Sequence, residues 1–167
     1  ETHIFNGVLW PSLLEEMGGY YPVVYNTVRA GEQFTLSGYR ITPVEVSHTV
    51  PTLGYLLERD GKGFFYTADT RGSGKPSWAG IRPDLLIAET TMSSEHEANA
   101  SRFGHMTPFS LERELRAFHE AQGYYPRTVC VHINPAHEEQ IKVELVGVSE
   151  RLGVDVRAGH EGMVIEV

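Results

Sequence analysis

The stretch Gly63-Phe64-Phe65-Tyr66-Thr67-Ala68-Asp69-Thr70 constrains the fold more than any other part of the chain. Three aromatic residues in a row fit a buried strand. The run then stops at a small residue, a carboxylate and a hydroxyl, followed by the loop formers Gly72, Ser73 and Gly74. A strand that ends this way delivers one carboxylate to the mouth of a sheet, where loops carry chemistry. The same residues also suit a plain turn, because Asp hydrogen-bonds its own backbone there. The octapeptide alone leaves both readings open.

Around it, short apolar runs alternate with turn formers. Residues 1–30 are irregular, broken by Asn6-Gly7, Pro11, Gly18-Gly19 and Pro22. A loop this long lines a site or packs on something. Residues 33–36, the Ser37-Gly38 turn and 39–46 read as a hairpin that runs out at Ser47-His48. Residues 53–58, the Asp60-Gly61 turn and 63–67 read as another. Residues 84–88 form a short strand ending at Glu89-Thr90-Thr91, and the polar stretch 93–101 shows no clear period. Thr107-Pro108 opens a helix, since Thr caps and Pro suits the first helical position. Leu111, Leu115 and Phe118 are its buried stripe and Gly123 stops it. Residues 128–133 are a strand, and Asn134-Pro135 starts a helix with Ile141, Leu145, Val148 and Leu152 on one face. Residues 154–156 and 163–167 finish as strands. Hairpins followed by strand–helix units imply an α/β sheet covered by helices on one face.

With 167 residues, 41% of them apolar, the chain supports one domain over 1–167 with a real core. No apolar run approaches the roughly 20 residues of a membrane span, and no signal-peptide pattern opens the chain. The single cysteine, Cys130, excludes an internal disulfide and sits between valines as an ordinary buried thiol. A cytoplasmic location is the expectation. A formal charge of −8 disfavours unspecific binding to a nucleic-acid backbone but leaves room for a small anionic substrate at a locally positive site.

Four strand ends carry a titratable residue: His48, Asp69, Glu89 and His132. Imidazole and carboxylate together suit zinc, manganese or iron(II), and a carboxylate can bridge two ions. His105 stands just before the cap of the 108–122 helix, where free N–H groups and the helix dipole favour an anion. There it either binds a phosphate oxygen or protonates a leaving group, or else simply caps or packs locally. His3 is ambiguous, His96 lies in a polar loop, His119 and His137 read as solvent-facing on helices, and His160 reads as a turn residue.

Several blocks together resemble the metallo-β-lactamase fold hydrolases. His48 with Val50-Pro51-Thr52 and Gly54-Tyr55, then Tyr66-Thr67-Ala68-Asp69-Thr70, carry the likeness, as does Leu86-Ile87-Ala88-Glu89-Thr90-Thr91. They are similar to the phosphodiesterase branch, which includes ribonuclease Z and the class II cyclic-nucleotide phosphodiesterases. Phe5-Asn6-Gly7-Val8-Leu9-Trp10-Pro11, Gly104-His105-Met106-Thr107-Pro108 and Val131-His132-Ile133-Asn134-Pro135 resemble the class II group most closely. The resemblance implies an αββα sandwich and a phosphodiester hydrolase using a metal-activated hydroxide, with a 3′,5′-cyclic nucleotide as the small anionic substrate. It implies two divalent ions, zinc first and manganese or iron next, with His48 on one, Asp69 bridging and His132 on the other. It further implies that His105 contacts the scissile phosphate or acts as general acid, with Glu89 orienting it. Ala68 stands where the family usually has Gly, a change expected to be tolerated if the backbone there needs no positive φ.

The chain departs from the pattern in lacking the family's His-x-His-x-Asp-His cluster. It therefore resembles the C-terminal portion of such a hydrolase, and its opening on Glu1 rather than Met fits a fragment. A missing N-terminal segment, a second chain or a dimer would complete the fold. Two other functions remain open: a ribonuclease Z-like RNA-processing nuclease, which the charge disfavours, and a non-catalytic fragment that binds a partner through its open side. The isolated polypeptide is expected to hold metal weakly and to catalyse little. Full zinc or manganese occupancy by elemental analysis would refute this.

Overall fold

The structure, a computed structural model, describes residues 23–167 apart from residue 75. Most of the irregular N-terminal stretch, with the Phe5–Pro11 block and His3, lies outside the described residues; 23–30 are irregular, as expected. Seven strands form one sheet in sequence order: β1 Phe34–Leu36, β2 Tyr39–Val46, β3 Thr52–Arg59, β4 Lys62–Tyr66, β5 Leu85–Glu89, β6 Arg127–Val131 and β7 Val156–Ala158. The first four pair antiparallel, β1–β2 and β3–β4 through tight turns and β2–β3 through the loop 47–51 that holds His48. From β4 onward the pairing is parallel, and α2 (Pro108–Gln122) and α3 (Glu138–Leu152) make the crossovers after β5 and β6. Both hairpin turns place a non-glycine residue, Ser37 or Asp60, at positive φ ahead of a glycine that is also positive, the pattern of a primed turn that matches strand twist.

Helices cover one face. Phe65, Leu86, Ala88 and Cys130 from the sheet meet Leu111, Leu115, Phe118, Ile141, Leu145 and Val148, with Trp78 stacked on Phe118 at 5.1 Å. Each large side chain buried here contributes about 1.5–3 kcal/mol. The Cys130 thiol is wholly buried, and burial pushes it up to about 12, as expected of an inert core cysteine. On the opposite face, Ile87, Val129 and Val131 line a groove of about 670 Å³ together with Met163 and Ile165 from the C-terminal segment.

Four expectations change. Residues 97–103 form a short helix, α1 (Glu97–Phe103), which follows a 3-10 turn at Ser94–His96. Only Ala100 of α1 is buried, so the segment has no apolar stripe to betray it. Helix α3 starts at Glu138 rather than at Asn134, because Asn134 turns the chain first, its carbonyl accepting from His137 N–H and its side chain from Ala136 N–H. The closing strand is Val156–Ala158, and 163–167 form no strand. Finally, Ala68 adopts φ 52°, so the backbone there does need the left-handed region.

That last observation yields a prediction. A non-glycine residue in the left-handed region costs about 1–2 kcal/mol. Ala68→Gly is expected to stabilise the protein by about 1 kcal/mol, read as a higher urea midpoint at unchanged slope.

Candidate metal centre

Strand direction gathers the site. β2 and β4 both run antiparallel to β3, and β5 and β6 run parallel to β4, so all four point the same way. Their C-terminal ends share one rim, and His48, Asp69, Glu89 and His132 sit at or just beyond those ends. The loop between α1 and α2 lays His105 over the same rim. Its backbone is fixed by His105 N–H to Ala100 O at 2.8 Å and by Thr91 N–H to Met106 O at 2.9 Å.

Glu89 is the hub. It is 1% exposed, and each of its oxygens accepts twice. Oε1 takes Thr70 N–H and His105 Nδ1, both at 2.9 Å. Oε2 takes Thr91 Oγ1–H at 3.0 Å and Met106 N–H at 3.1 Å. The next strand tip, the His105 segment and the strand's own end are thereby tied to one carboxylate. Burial pushes the Glu89 carboxyl above its usual range, while the N–H groups of Met106 and Thr70 and the nearby His105 pull it back.

The hydrogen bonds set how each imidazole faces. Gly104 O can only accept, so His48 donates from Nδ1 at 2.8 Å. With Glu89 ionised, His105 donates from Nδ1 to it. Thr91 Oγ1, having given its proton to Glu89, accepts from His132 Nδ1 at 2.9 Å. Among the described residues all three rings therefore keep Nε2 without a hydrogen-bond partner, with ring centroids 5.2 Å apart from His48 to His105 and again from His105 to His132. Two close approaches support this. Gly104 has φ 87°, and a Cβ there would lie 2.5 Å from His48 Nδ1. His132 itself sits at φ 57°, a strained conformation of the kind that collects at functional sites.

The donor set fits a divalent cation. Ligating atoms of His48, Asp69 and His105 lie within 4.8 Å of one another, as do those of Glu89, His105 and His132. Glu89 is better read as the orienting group, because four donors already occupy its oxygens. Asp69 approaches His132 only loosely, Oδ1 to Nδ1 at 3.7 Å. Half-exposed Asp69 and His132 flank the more buried His105, as side chains serving an open site would.

The anion-binding reading of the α2 start does not survive. Its N-terminal donors are already taken: Phe109 N–H by Ser94 Oγ and Ser110 N–H by Thr107 Oγ1, with Thr107 N–H returned to Ser110 Oγ. The Glu97 carboxylate accepts the Thr107 hydroxyl at the same place. His105 thus meets Glu89 and the neighbouring imidazoles rather than an open helix end. Of the other histidines, His160 is exposed in a turn, as expected. His96 lies in the 3-10 turn with its ring 4.6 Å from that of His137, which is half-buried and near Ser93 Oγ. His119 is half-buried and stacks on Tyr125 at 4.3 Å. Sequence reasoning missed Gly104 and Thr91, the partners of two imidazoles. Their only signals are a glycine before His105 and a hydroxyl two residues after Glu89.

A family model and the similarity to solved structures identify this mixed sheet as a metallo-β-lactamase fold. Residues 10–133 match the model of the β-lactamase superfamily domain, and the chain belongs to that superfamily. Among solved structures it is similar to the metallo-β-lactamase fold protein YhfI from Bacillus subtilis, with 18% identity and a TM-score of 0.66 over 83% of this chain and 54% of that one. It is similar to the Zn(2+)-bound PqqB from Methylobacterium extorquens, with 19% identity and a TM-score of 0.59 over 85% of this chain and 55% of that one. Human tRNase Z, short form, aligns with 19% identity and a TM-score of 0.57 over 80% of this chain and 45% of that one. The chain thus spans about half the length of these structures. No match is found among curated proteins.

The hub makes a pH prediction. A carboxyl raised in the folded state binds its proton more tightly when folded. Its contribution is therefore complete below the ordinary 4.5 and is lost as pH rises through the shifted value. In chelator-treated protein, the stability of wild type relative to Glu89→Gln should fall as pH rises from 4.5 and then level off. Urea unfolding across that range tests this, and a difference independent of pH would refute it.

Proposed function

We propose that this chain is the C-terminal portion of a metal-dependent phosphodiester hydrolase acting on a 3′,5′-cyclic nucleotide. The observation that carries the reading is the row of imidazoles with Nε2 free beside Asp69, the central one held by a buried carboxylate. In this reading His48 and His132 hold one divalent ion each, with zinc the best match to the donors, and Asp69 serves both. Divalent ions, when bound, supply charge neutralisation for a phosphodiester and a nucleophile at neutral pH. His105 does the proton work: Glu89 holds its Nδ1–H, and the ring carrying a second proton on Nε2 gives that proton to the departing oxygen and returns to the Nδ1–H tautomer. The reading leaves the remaining ligands to a His-x-His-x-Asp-His cluster that this sequence does not hold.

The choice of a small cyclic substrate rests on the Gly104–Pro108 and Val131–Pro135 blocks and on the charge of −8, which repels a polyanion. The fold does not select a substrate, since proteins of this fold include a tRNase and a diphosphatase. Assay of the full-length protein on cyclic AMP, a bis-aryl phosphate and pre-tRNA separates the readings, with cyclic AMP expected to be hydrolysed fastest. His105→Ala should lower turnover about 10²–10⁴-fold at unchanged metal content. Loss of metal from that variant would instead put His105 among the ligands.

A further inference from the structure

The loop after Asp69 has no regular structure, yet it is held from Thr70 to Gly74. At its start, Thr70 N–H binds Glu89, and Arg71 N–H donates to Ser47 O at 2.7 Å, next to His48. Further on, helix α2 takes over through residues spaced to share one face, Ser110, Arg113 and Glu114. Gly72 lies so close to Ser110 that a Cβ would come within 2.5 Å of the Ser110 Cβ, and Arg113 donates to Gly72 O at 3.0 Å. Gly74, at φ 72°, donates its N–H to Glu114. Ser73 gives Glu114 hydrogen bonds from both its backbone and its side chain.

Glu114 is 2% exposed and lies on the buried side of α2, where apolar packing alone would hold helix to sheet. Burial pushes its carboxyl up, and the loop's donors pull it back. A buried carboxylate is costly unless its donors are satisfied, and here those donors belong to the loop. Behind the loop is a cavity of about 40 Å³ bordered by Thr70, Arg71, Trp78 and Glu114. Arg71 Nε is buried there without a partner among the described residues. The loop is therefore kept in place by its clamps rather than by its own pairing, and it has room to shift inward when one is removed.

We infer that Glu114 is a positioning residue for Asp69: it anchors the far end of the loop to α2, the helix that begins just after His105, and so keeps the carboxylate in register with the histidines. This rests on the reading of Asp69 as a metal ligand. Groups that orient metal ligands typically change affinity 10–100-fold when altered. A Gln amide at 114 would turn an NH2 toward a backbone donor, while keeping the side chain's shape and avoiding the added cavity of an Ala.

The test is zinc affinity of the full-length protein, by competition with a chromogenic chelator, for wild type, Glu114→Gln, Asp69→Asn and Glu112→Gln. Glu112 lies on the same helix but pairs with Arg116 and Arg151 away from the loop, so it reports loss of helix stability alone. Glu114→Gln is expected to weaken zinc binding about tenfold, Asp69→Asn at least as much, and Glu112→Gln not at all. Unchanged affinity in Glu114→Gln beside a weakened Asp69→Asn overturns the positioning role and leaves the metal reading standing. An equal loss in Glu112→Gln overturns it too, as a general stability effect. Unchanged affinity in Asp69→Asn overturns the metal reading itself, and the inference with it.

Discussion

The site depends on one buried carboxylate. Glu89 sits at the end of β5 with almost no exposure, and such a charge is tolerable only when its oxygens are fully hydrogen-bonded. The four donors come from places far apart in sequence: the tip of β4, the loop between α1 and α2 twice, and the end of β5 itself. Satisfying Glu89 therefore forces those segments together. Thr91 carries the constraint one step further, since the hydroxyl that donates to Glu89 accepts from His132. His105 and, through Thr91, His132 are placed by the same bonds that make the buried charge affordable, while His48 is held by the Gly104 carbonyl.

Strand direction explains why so few residues suffice. Because β2, β4, β5 and β6 run the same way, one residue at each C-terminal end reaches a common rim, and no local motif is needed. The switch from antiparallel to parallel pairing at β4 puts Asp69 where the hairpin half of the sheet meets the strand–helix half. Residues from both halves, Ser47 on one side and Glu89 on the other, then act on the loop that follows it.

Much of this was legible in the sequence. Apolar runs that end in a titratable residue located the rim, and Thr107 with Pro108 located the start of α2 to the residue. What escaped lacks a periodic signature. Helix α1 buries only Ala100, so its stability comes from contacts such as Glu97 with Thr107 rather than from a stripe. Asn134 looks like a helix cap but spends its hydrogen bonds on a turn. The left-handed backbone at His132 leaves no mark in the sequence, and at Ala68 the one hint is the glycine that the resembled family usually has there. The start of α2 misled for a related reason: free N–H groups can be inferred from a helix start, but whether Ser94 and Thr107 already hold them cannot.

What stands behind each imidazole argues for the division of labour proposed among them. His48 is hydrogen-bonded to a neutral carbonyl and His132 to a neutral hydroxyl, with the Asp69 carboxylate only a loose 3.7 Å from the same His132 nitrogen, whereas His105 is hydrogen-bonded directly to a carboxylate. A neutral acceptor fixes a ring's tautomer and direction, which is what a ligand requires. A carboxylate does that and also faces any second proton the ring carries with a negative charge, which a proton donor requires. Burial pushes the Glu89 carboxyl up, and His105 is among the groups that pull it back down. His105 lies within reach of both neighbouring donor groups, so distance alone would let it ligate. Its partner, not its distance, is what distinguishes it.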